Sequence, residues 1–594
     1  MYNRIALLTC LMFVIFPCLL FSQQVLPESM LKIPFDTNPN QTMTYEEVIE
    51  AYGKLALAYP NKVSFLAQGA TDSGEPLHVC VVSSDGVFDP SGIRNSGRQI
   101  LFINNGIHPG EPDGIDATYM LLRDMLVSAE KSVLLRHVAI IVIPVYNVDG
   151  CINRGSFSRA NQNGPEAYGF RGNARNYDLN RDFVKSDSRN AQTFHEIFRH
   201  WDPDVFIDNH CSNGADYQYT MTLIATHHDK LEKPLGHFLF QTMLPALYDG
   251  MEERGWEMTP YVDGPGDTPE EGLYNFSDEP RYSTGYAALW NTIGFMPETH
   301  MLKPYKDRVQ GTVAFMETVL NFLDTHHTTL AKARAEAKKL TREKKKFVLD
   351  WAIDTSRVDS VLFKGYTAKY KPSEVSGLPR LWYDQSEPWE DYIPYYQHIL
   401  PVLEVQKPAA YVVPQSWAPV IERLERNGVS LRRLSADVEL TCEHYVLGDF
   451  KTRNHYEGHY FHSDLEVEMK NATRLYRKGD VVVFTDQEAN RFVVETLEPQ
   501  APDSWFAWNF FDAVLMQKEH FSAYVFEDIA AQFLSENPAI RAELELLKAE
   551  DDDFAENASA QLNWVYKRSP WYEPTHKLYP VGRLNQIAGL PLVP

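Results

Sequence analysis

The stretch INNGIHPGEPDG, from Ile103 to Gly114, ends an apolar run and then places a histidine and a glutamate three residues apart among glycines and prolines. The run that leads into it, within GRQILFINNG, is short and apolar, which indicates a buried strand. His108 and Glu111 therefore follow a predicted strand, and Pro109-Gly110 predicts a tight turn between them. Alone, the stretch fits either a turn with two polar side chains or half of a metal site.

Strands and helices alternate around this stretch, from about Thr44 to Phe322. The predicted strands that follow lie in RHVAIIVIPVYN, PDVFIDNH and NTIGFMPETH, and the predicted helices in YEEVIEAYGKLALAY, DATYMLLRDMLVSAEK and KDRVQGTVAFMETVLNFLDTH. Such alternation predicts an α/β fold with a mostly parallel central sheet.

Polar residues stand at or just after the C-terminal ends of four of these strands: His108 with Glu111, the segment Asn147–Gly150, His210, and Glu298. In an open α/β sheet that edge is where sites form, so the four clusters are expected to converge. His108, Glu111 and His210 then offer the three nitrogen and oxygen ligands typical of catalytic zinc, whereas calcium and magnesium prefer oxygen alone. The sequence therefore predicts one Zn²⁺ ion.

Two further segments carry candidate site residues. In RGNARNYDLNRDF, from Arg171 to Phe183, an arginine fork beside an amide suits a carboxylate, and Asp178 is placed to accept the second ring N–H of a zinc-bound histidine. The alternative is a solvated loop. In GFMPETHML, Glu298 lies in an apolar run, where a buried carboxylate is either paired or held for proton transfer, as in a general base.

In this order the motifs resemble the zinc carboxypeptidase family, the carboxypeptidase A-like metallopeptidases. The resemblance rests on His108-Pro-Gly-Glu111, Asn147-Val-Asp-Gly150, Arg171, Asp178-Leu-Asn-Arg181, His210 and Glu298, and it covers about residues 44–322. It implies a three-layer zinc-peptidase fold, with a mixed, mostly parallel central sheet flanked by helices, and a secreted zinc metallocarboxypeptidase.

The resemblance also implies a role for each residue. His108, Glu111 and His210 would bind zinc, Glu298 would be the general base, and Asp178 would orient His108. Asn180 and Arg181 would hold the terminal carboxylate of the substrate. Arg171 would stabilise the oxyanion, although its short spacing to Asn180 leaves Arg175 as an alternative, and of two candidates for a substrate-binding tyrosine, Tyr282 and Tyr286, the second is preferred.

The N-terminus and the composition bear on location and partners. Residues 1–22 combine an early arginine with an apolar run that ends at a serine, which predicts a cleaved signal peptide and a secreted or periplasmic protein with no membrane span in the mature chain. The formal net charge of -24 disfavours nucleic acid as a partner. Four cysteines remain after residue 22, too few for a disulfide scaffold, and one or two bridges are left open.

The chain is long enough for several domains. The predicted organisation is a signal peptide (1–22), a catalytic domain (23–327), a helical connector (328–347), and a mixed α/β accessory domain of unassigned role (348–594). Within the last, AAYVVPQSWAPVIERLERNGVSLRRL predicts a strand, a helix and another strand.

Two histidine clusters are interpreted as decoys. HEIFRH places His195 and His200 five residues apart, on different faces of a helix, and is interpreted as helix surface. His455, His459 and His462 alternate with aromatic residues and favour packing over a second metal site.

Three functions stay open at this stage. The first is hydrolysis of C-terminal peptide bonds, the second is an amidase acting on peptidoglycan stem peptides or modified and γ-linked peptides, and the third is an inactive peptide-binding homologue. A binder needs no general base, which disfavours the third.

Overall fold

The structure is a computed structural model and describes residues 28–212 and 214–593. The predicted signal peptide lies outside the described residues. No helix in the described ranges is long and apolar enough to cross a membrane.

Helices and strands alternate in the first half of the chain. The strands are β1 (Val63–Ala70), β2 (Pro76–Val82), β3 (Gln99–Asn104), β4 (Val138–Ile143), β5 (Val205–Asp208), β6 (His210–Ser212), β7 (Met221–Ala225), β8 (Met258–Pro260), β9 (Leu273–Tyr274) and β10 (Ile293–His300). The helices are α1 (Tyr45–Ala58), α2 (Pro90–Asn95), α3 (Asp113–Val127), α4 (Val148–Ile152), α5 (Arg189–Trp201), α6 (Lys233–Phe238), α7 (Leu244–Glu253), α8 (Ser283–Leu289) and α9 (Tyr305–Glu343).

Within the described residues, nine strands form the central sheet in the order β1-β2-β4-β3-β5-β10-β7-β8, with β6 paired to β10. The strands β4, β3, β5 and β10 run parallel to one another, whereas β1, β2 and β7 pair antiparallel. The predicted mixed, mostly parallel sheet is confirmed. Strands β3, β4 and β5 are buried along their whole length, because helices cover both faces of this sheet.

The second half of the chain carries separate sheets. Its strands are β11 (Lys346–Ile353), β12 (Asp359–Pro372), β13 (Pro379–Tyr396), β14 (Ile399–Gln406), β15 (Ala410–Val413), β16 (Leu431–Arg433), β17 (Val438–Leu447), β18 (Lys451–Tyr456), β19 (His459–Ser463), β20 (Val467–Tyr476), β21 (Val481–Phe484) and β22 (Gly582–Leu584). Its helices are α10 (Ala418–Arg426), α11 (Asn490–Leu497), α12 (Ala523–Glu536), α13 (Pro538–Glu550), α14 (Asp552–Ala555) and α15 (Ala558–Tyr566). The predicted β15-α10-β16 succession is confirmed.

The two halves are closely joined. The closing helix and the predicted connector are one unbroken helix, α9, and Phe347 already lies in β11. One apolar core runs from the central sheet into the second half, where Trp290 stacks on Phe492 at 5.2 Å between ring centroids. Strand β13 also adds to β9 of the first half. The second half is therefore packed against the site-bearing half over a continuous interior.

Candidate active site

The turn after β3 places two polar side chains at the edge of the sheet. The Glu111 amide donates to the His108 carbonyl at 2.8 Å, which closes the predicted turn. Gly110 leaves no room for a side chain, because a Cβ there would lie 2.7 Å from Cδ of Arg159 and 3.2 Å from the Gly169 carbonyl oxygen. His108 and Glu111 are both buried and face the same point as a result.

His210 comes to the same point from β6. One donor atom from each of His108, Glu111 and His210 lies within 4.8 Å of the others. His210 Nδ1 lies 3.1 Å from Glu111 Oε2, and His108 Nδ1 lies 3.3 Å from Glu111 Oε1. His108 Nδ1 is buried and has no hydrogen-bond partner among the described residues, although a buried ring nitrogen is costly to leave unpaired.

The outer nitrogen of each histidine is held by a carboxylate. His108 Nε2 lies 2.8 Å from Asp178 Oδ1, and His210 Nε2 lies 3.0 Å from Asp208 Oδ2. Such partners fix the orientation of each ring and leave its Nδ1 lone pair free to bind a metal ion. Two imidazole nitrogens and one carboxylate, oriented in this way, fit a zinc ion at this point.

The buried charged groups around the metal-binding candidates shift the pKa values of one another. Burial opposes ionisation of Glu111, but the positive charges of His108 and Arg159 hold the pKa of its carboxyl well below the usual range. Burial also disfavours the charged form of His210, but Asp208 and Glu111 raise its pKa well above the usual value.

Glu298 lies beside His210 in the sheet, because the two residues are direct partners in the parallel pairing of β10 with β6. Its side chain is buried but lines the cleft next to the metal group. Burial is the largest reason that the pKa of Glu298 is raised to about 8, and the negative charge of Glu111 adds to it. A carboxyl group with such a pKa can both take up and release a proton near neutral pH.

The cleft has a volume of about 510 Å³. Asn180 and Arg181 line it, as do Tyr261, Phe276 and Tyr282. The Arg181 guanidinium rests over the ring of Tyr282, 4.5 Å from its centroid, and Asn180 Oδ1 accepts a hydrogen bond from the Ser283 amide at 3.2 Å. These contacts hold an amide and a cation at the cleft wall.

The structure separates the arginine candidates. Arg171 lines the cleft, is 45 % exposed, and donates to Asp178 Oδ2 at 3.0 Å. Arg175 instead binds the Asp187 carbonyl oxygen and the Tyr177 hydroxyl, away from the cleft. A further arginine, Arg159, was missed because its loop has no recognisable motif, and it contacts Glu111 at 2.9 Å.

The preference for Tyr286 as a cleft residue is wrong. Tyr286 is fully buried in the core, donates a hydrogen bond to Asn427 Oδ1 at 2.7 Å and stacks on His195. Its ring is turned inward because it lies on the covered face of α8, whereas Tyr282 precedes that helix and lines the cleft. Asp208 was also missed, although its position two residues before His210 is a signal, since alternate residues share a face of an extended chain.

The segment Asn147–Gly150 supports the site from outside the cleft. The Asn147 amide donates to the Arg171 carbonyl oxygen at 2.9 Å and to the Ile107 carbonyl oxygen at 3.3 Å. It thereby ties the loop of the first two metal-binding candidates to the loop of Arg171.

The decoy histidines do not form a second site. His459 and His462 pair with Asp187 and Asp512, respectively, and do not converge. The interpretation of His195 as helix surface is wrong, because it is fully buried. Within the described ranges, the other candidate metal group is His227-His228-Asp229, but both ring nitrogens of His227 already have hydrogen-bond partners.

The four described cysteines are Cys80, Cys151, Cys211 and Cys442, and all are buried and free. No disulfide joins any two of these four described cysteines.

Parts of this chain are similar to known carboxypeptidases. Residues 48–219 match the family model of zinc carboxypeptidases. Carboxypeptidase 2 from Trichophyton rubrum is 22 % identical over 454 residues, covering 72 % of this chain and 76 % of that protein. The metallo-carboxypeptidase of Burkholderia cenocepacia shows 14 % identity and a TM-score of 0.36 over 48 % of this chain and 70 % of its own. Carboxypeptidase A of Helicoverpa armigera shows 15 % identity and a TM-score of 0.37 over 50 % of this chain and 75 % of that chain.

The matched range contains His108, Glu111 and His210, which the structure brings to one point, and it ends before Glu298. The ligand set and the family model therefore agree that residues 48–219 form a zinc carboxypeptidase-like domain, similar to metal-dependent peptide hydrolases.

Proposed function

We propose that this protein is a metallocarboxypeptidase that releases C-terminal residues from peptides, with Glu298 as general base. The observation that carries the proposal is the position of Glu298, a buried carboxyl with a pKa of about 8, directly beside His210 in the sheet. His108, Glu111 and His210 would hold the zinc ion, which would supply a Lewis acid for the scissile carbonyl and for activation of the attacking water.

In this proposal Glu298 takes a proton from the attacking water and returns it to the leaving amine. Arg171 lies at the same wall of the cleft and offers N–H donors to the oxygen on which negative charge develops. Arg159 stands next to Glu111 and adds positive charge there. Both arginines are held by carboxylates, so their positions are largely set before a substrate arrives.

The substrate class follows from the cleft wall. Arg181 and Asn180 suit a free terminal carboxylate, because a guanidinium and an amide can both donate to its two oxygens. Met296 lies two residues before Glu298 on the same face of β10 and pairs with Ile224 of β7. With Phe276 these residues give one end of the cleft an apolar lining, which favours an apolar C-terminal side chain.

Digestion of a diverse peptide pool that includes muropeptides, read by mass spectrometry, tests the proposal. We expect release of single C-terminal residues by the wild type and loss of that release in Glu298→Gln, with zinc binding retained. Glu253→Gln, at an exposed position of α7, is the matched control. Unchanged hydrolysis by Glu298→Gln would refute the role of Glu298, and release of products only from muropeptides or γ-linked peptides would favour the amidase.

We also propose export, on the sequence pattern of residues 1–22. Mass measurement of the chain recovered outside expressing cells should give a mature N-terminus near Gln23. A chain that stays inside the cells with residues 1–22 attached would contradict export.

A further inference from the structure

A hairpin from the second half of the chain reaches the site. Strands β18 and β19 are joined by the two-residue turn Glu457-Gly458, with Tyr456 and His459 as the last pair before the turn. This tip lies against the segment from Asp178 to Asp187, which carries the proposed carboxylate-binding pair. Glu457 at this tip is 279 residues further along the chain than Asp178.

The side chain of Glu457 contacts the backbone of the site. One of its carboxylate oxygens accepts a hydrogen bond from the Asp178 amide at 2.8 Å. Asp178 is the residue whose side chain holds His108 Nε2 and Arg171. A hydrogen bond to an ionised acceptor is among the stronger ones in proteins, so Glu457 fixes the backbone from which the Asp178 carboxylate projects.

Tyr456 contacts the other part of the segment. Its hydroxyl lies close enough to the Arg181 guanidinium to help to raise the pKa of that group, after the larger effects of burial, which lowers it, and of Asp178, which raises it. The tyrosine ring is itself fixed, because it stacks on the fully buried Trp508 with 5.7 Å between ring centroids and 14° between planes. Arg181 therefore has a tyrosine from each half of the chain beside it: the ring of Tyr282, over which its guanidinium rests, and the hydroxyl of Tyr456.

The far end of the segment is anchored by the same half of the chain. Asp187 binds His459 Nε2 at 2.6 Å and Arg423 of α10 at 2.9 Å. Lys185 is fully buried and lies 3.1 Å from the same carboxylate. The segment that carries Asn180 and Arg181 is thus held by contacts at both of its ends.

The turn itself indicates that Glu457 is not there for local stability. Glu457 and Gly458 have φ of +50° and +79°, which are the backbone angles of a type I′ hairpin turn. The first position of such a turn favours asparagine, aspartate or glycine, and a glutamate in the left-handed region is strained. Its longer side chain is what reaches the Asp178 amide.

We propose that the hairpin tip is a positioning element of the active site, in which Glu457 fixes Asp178 and Tyr456 fixes Arg181 for binding of the substrate carboxylate. This inference rests on the proposed function of the cleft. It assigns to the second half of the chain a part in substrate binding, carried by two residues.

Two substitutions at Glu457 and one control separate the effect of side-chain length from the effect on stability. Glu457→Asn suits the turn but is one methylene shorter, so the melting temperature should stay the same or rise while KM increases roughly 3- to 10-fold, the effect of losing one hydrogen bond. Glu457→Gln keeps an acceptor at full reach and should recover most of the wild-type KM. Glu468→Gln, on exposed β20, is the control and should leave KM unchanged.

Tyr456→Phe tests the second contact by direct binding. In the Glu298→Gln background, calorimetry with a peptide that has a free C-terminus should show roughly 3- to 10-fold weaker binding than without the Tyr456→Phe change. The C-terminally amidated peptide should bind equally to both proteins, because it lacks the carboxylate that Arg181 receives. Tyr460→Phe, on the same hairpin and half-exposed, is the matched control.

The outcomes are distinct from those that test the proposed function. If the wild type releases C-terminal residues and Glu457→Asn and Tyr456→Phe match it in KM and binding, the positioning role is refuted while the proposed function stands. If Tyr456→Phe weakens free and amidated peptides equally, the contact with Arg181 is not specific to the carboxylate and the inference is refuted as well.

Discussion

Removal of the Asp208 carboxylate should weaken zinc binding without touching a ligand. Asp208 is fully buried and receives two hydrogen bonds, from His210 Nε2 at 3.0 Å and from the Asn104 amide at 2.9 Å. In Asp208→Ala both donors lose their partner. The His210 ring is then free to rotate, and its Nδ1 no longer faces Glu111 in one fixed orientation.

The expected magnitude follows from these contacts. Loss of a carboxylate that orients a metal-binding histidine typically lowers metal affinity 10- to 100-fold, which corresponds to about 1.4–2.7 kcal/mol. Two buried donors without acceptors should also destabilise the zinc-free protein by about 1–3 kcal/mol each. Asp208→Asn keeps one acceptor oxygen and should therefore lie between the wild type and Asp208→Ala in both respects.

The measurement is competition for zinc between the protein and a chelator of known affinity, with melting temperatures recorded for the zinc-free forms. Asp229→Asn, at a partly exposed turn, is the control and should bind zinc like the wild type. A zinc affinity of Asp208→Ala equal to that of the wild type, in folded protein, would refute the reasoning, since His210 would then be oriented by other contacts.

The remaining predictions concern residues that the structure reassigns. Burial lowers the pKa of His195 to about 4. The folded protein therefore keeps this ring neutral, while the unfolded chain protonates it below pH 6.5. The free energy of unfolding should fall by at most about 3 kcal/mol as the pH drops from 6.5 to 4. The melting temperature of His195→Gln should fall less over that range than that of the wild type, and equal falls would contradict this. Tyr282→Ala removes the ring under Arg181, a contact of about 0.5–2 kcal/mol, so KM should rise roughly 2- to 30-fold with kcat little changed, and an unaltered KM would exclude this role. Tyr286→Phe loses one buried hydrogen bond, to Asn427, and should lower the melting temperature but not change KM, whereas a raised KM would return Tyr286 to the cleft.

Much of the first half of the chain could be predicted from local patterns. The apolar runs of β3, β4, β5 and β10 are short and fully buried, so their periodicity and length identify them as central strands. Strands that run parallel end at a common edge, and for that reason His108, Glu111 and His210 could be expected to meet.

The direction in which a side chain points was harder to predict. Tyr282 and Tyr286 are four residues apart, and the sequence offers no reason to prefer one, because both side chains are amphipathic and stand in the same short segment. Tyr282 precedes α8 and Tyr286 lies within it, and only packing of α8 against the core turns Tyr286 inward and leaves Tyr282 at the cleft. His195 was misread for the same reason, since a face of α5 that looks polar in sequence is covered by α10 of the second half, through Asn427.

By itself the sequence determined the α/β order of elements, the three metal-binding candidates and Glu298, because each depends on a short pattern at the end of a strand. The tertiary structure showed what lies around them: Asp208 behind His210, Arg159 beside Glu111, and Glu457 on the Asp178 amide. These partners are joined across 2, 48 and 279 residues of chain, and at the longer separations no local pattern carries the contact. The contact of Arg159 with Glu111 depends on how the loops of the first half fold around the sheet. The contact of Glu457 with Asp178 depends on how the second half packs on the first, which is set by the shape of a shared core rather than by any motif.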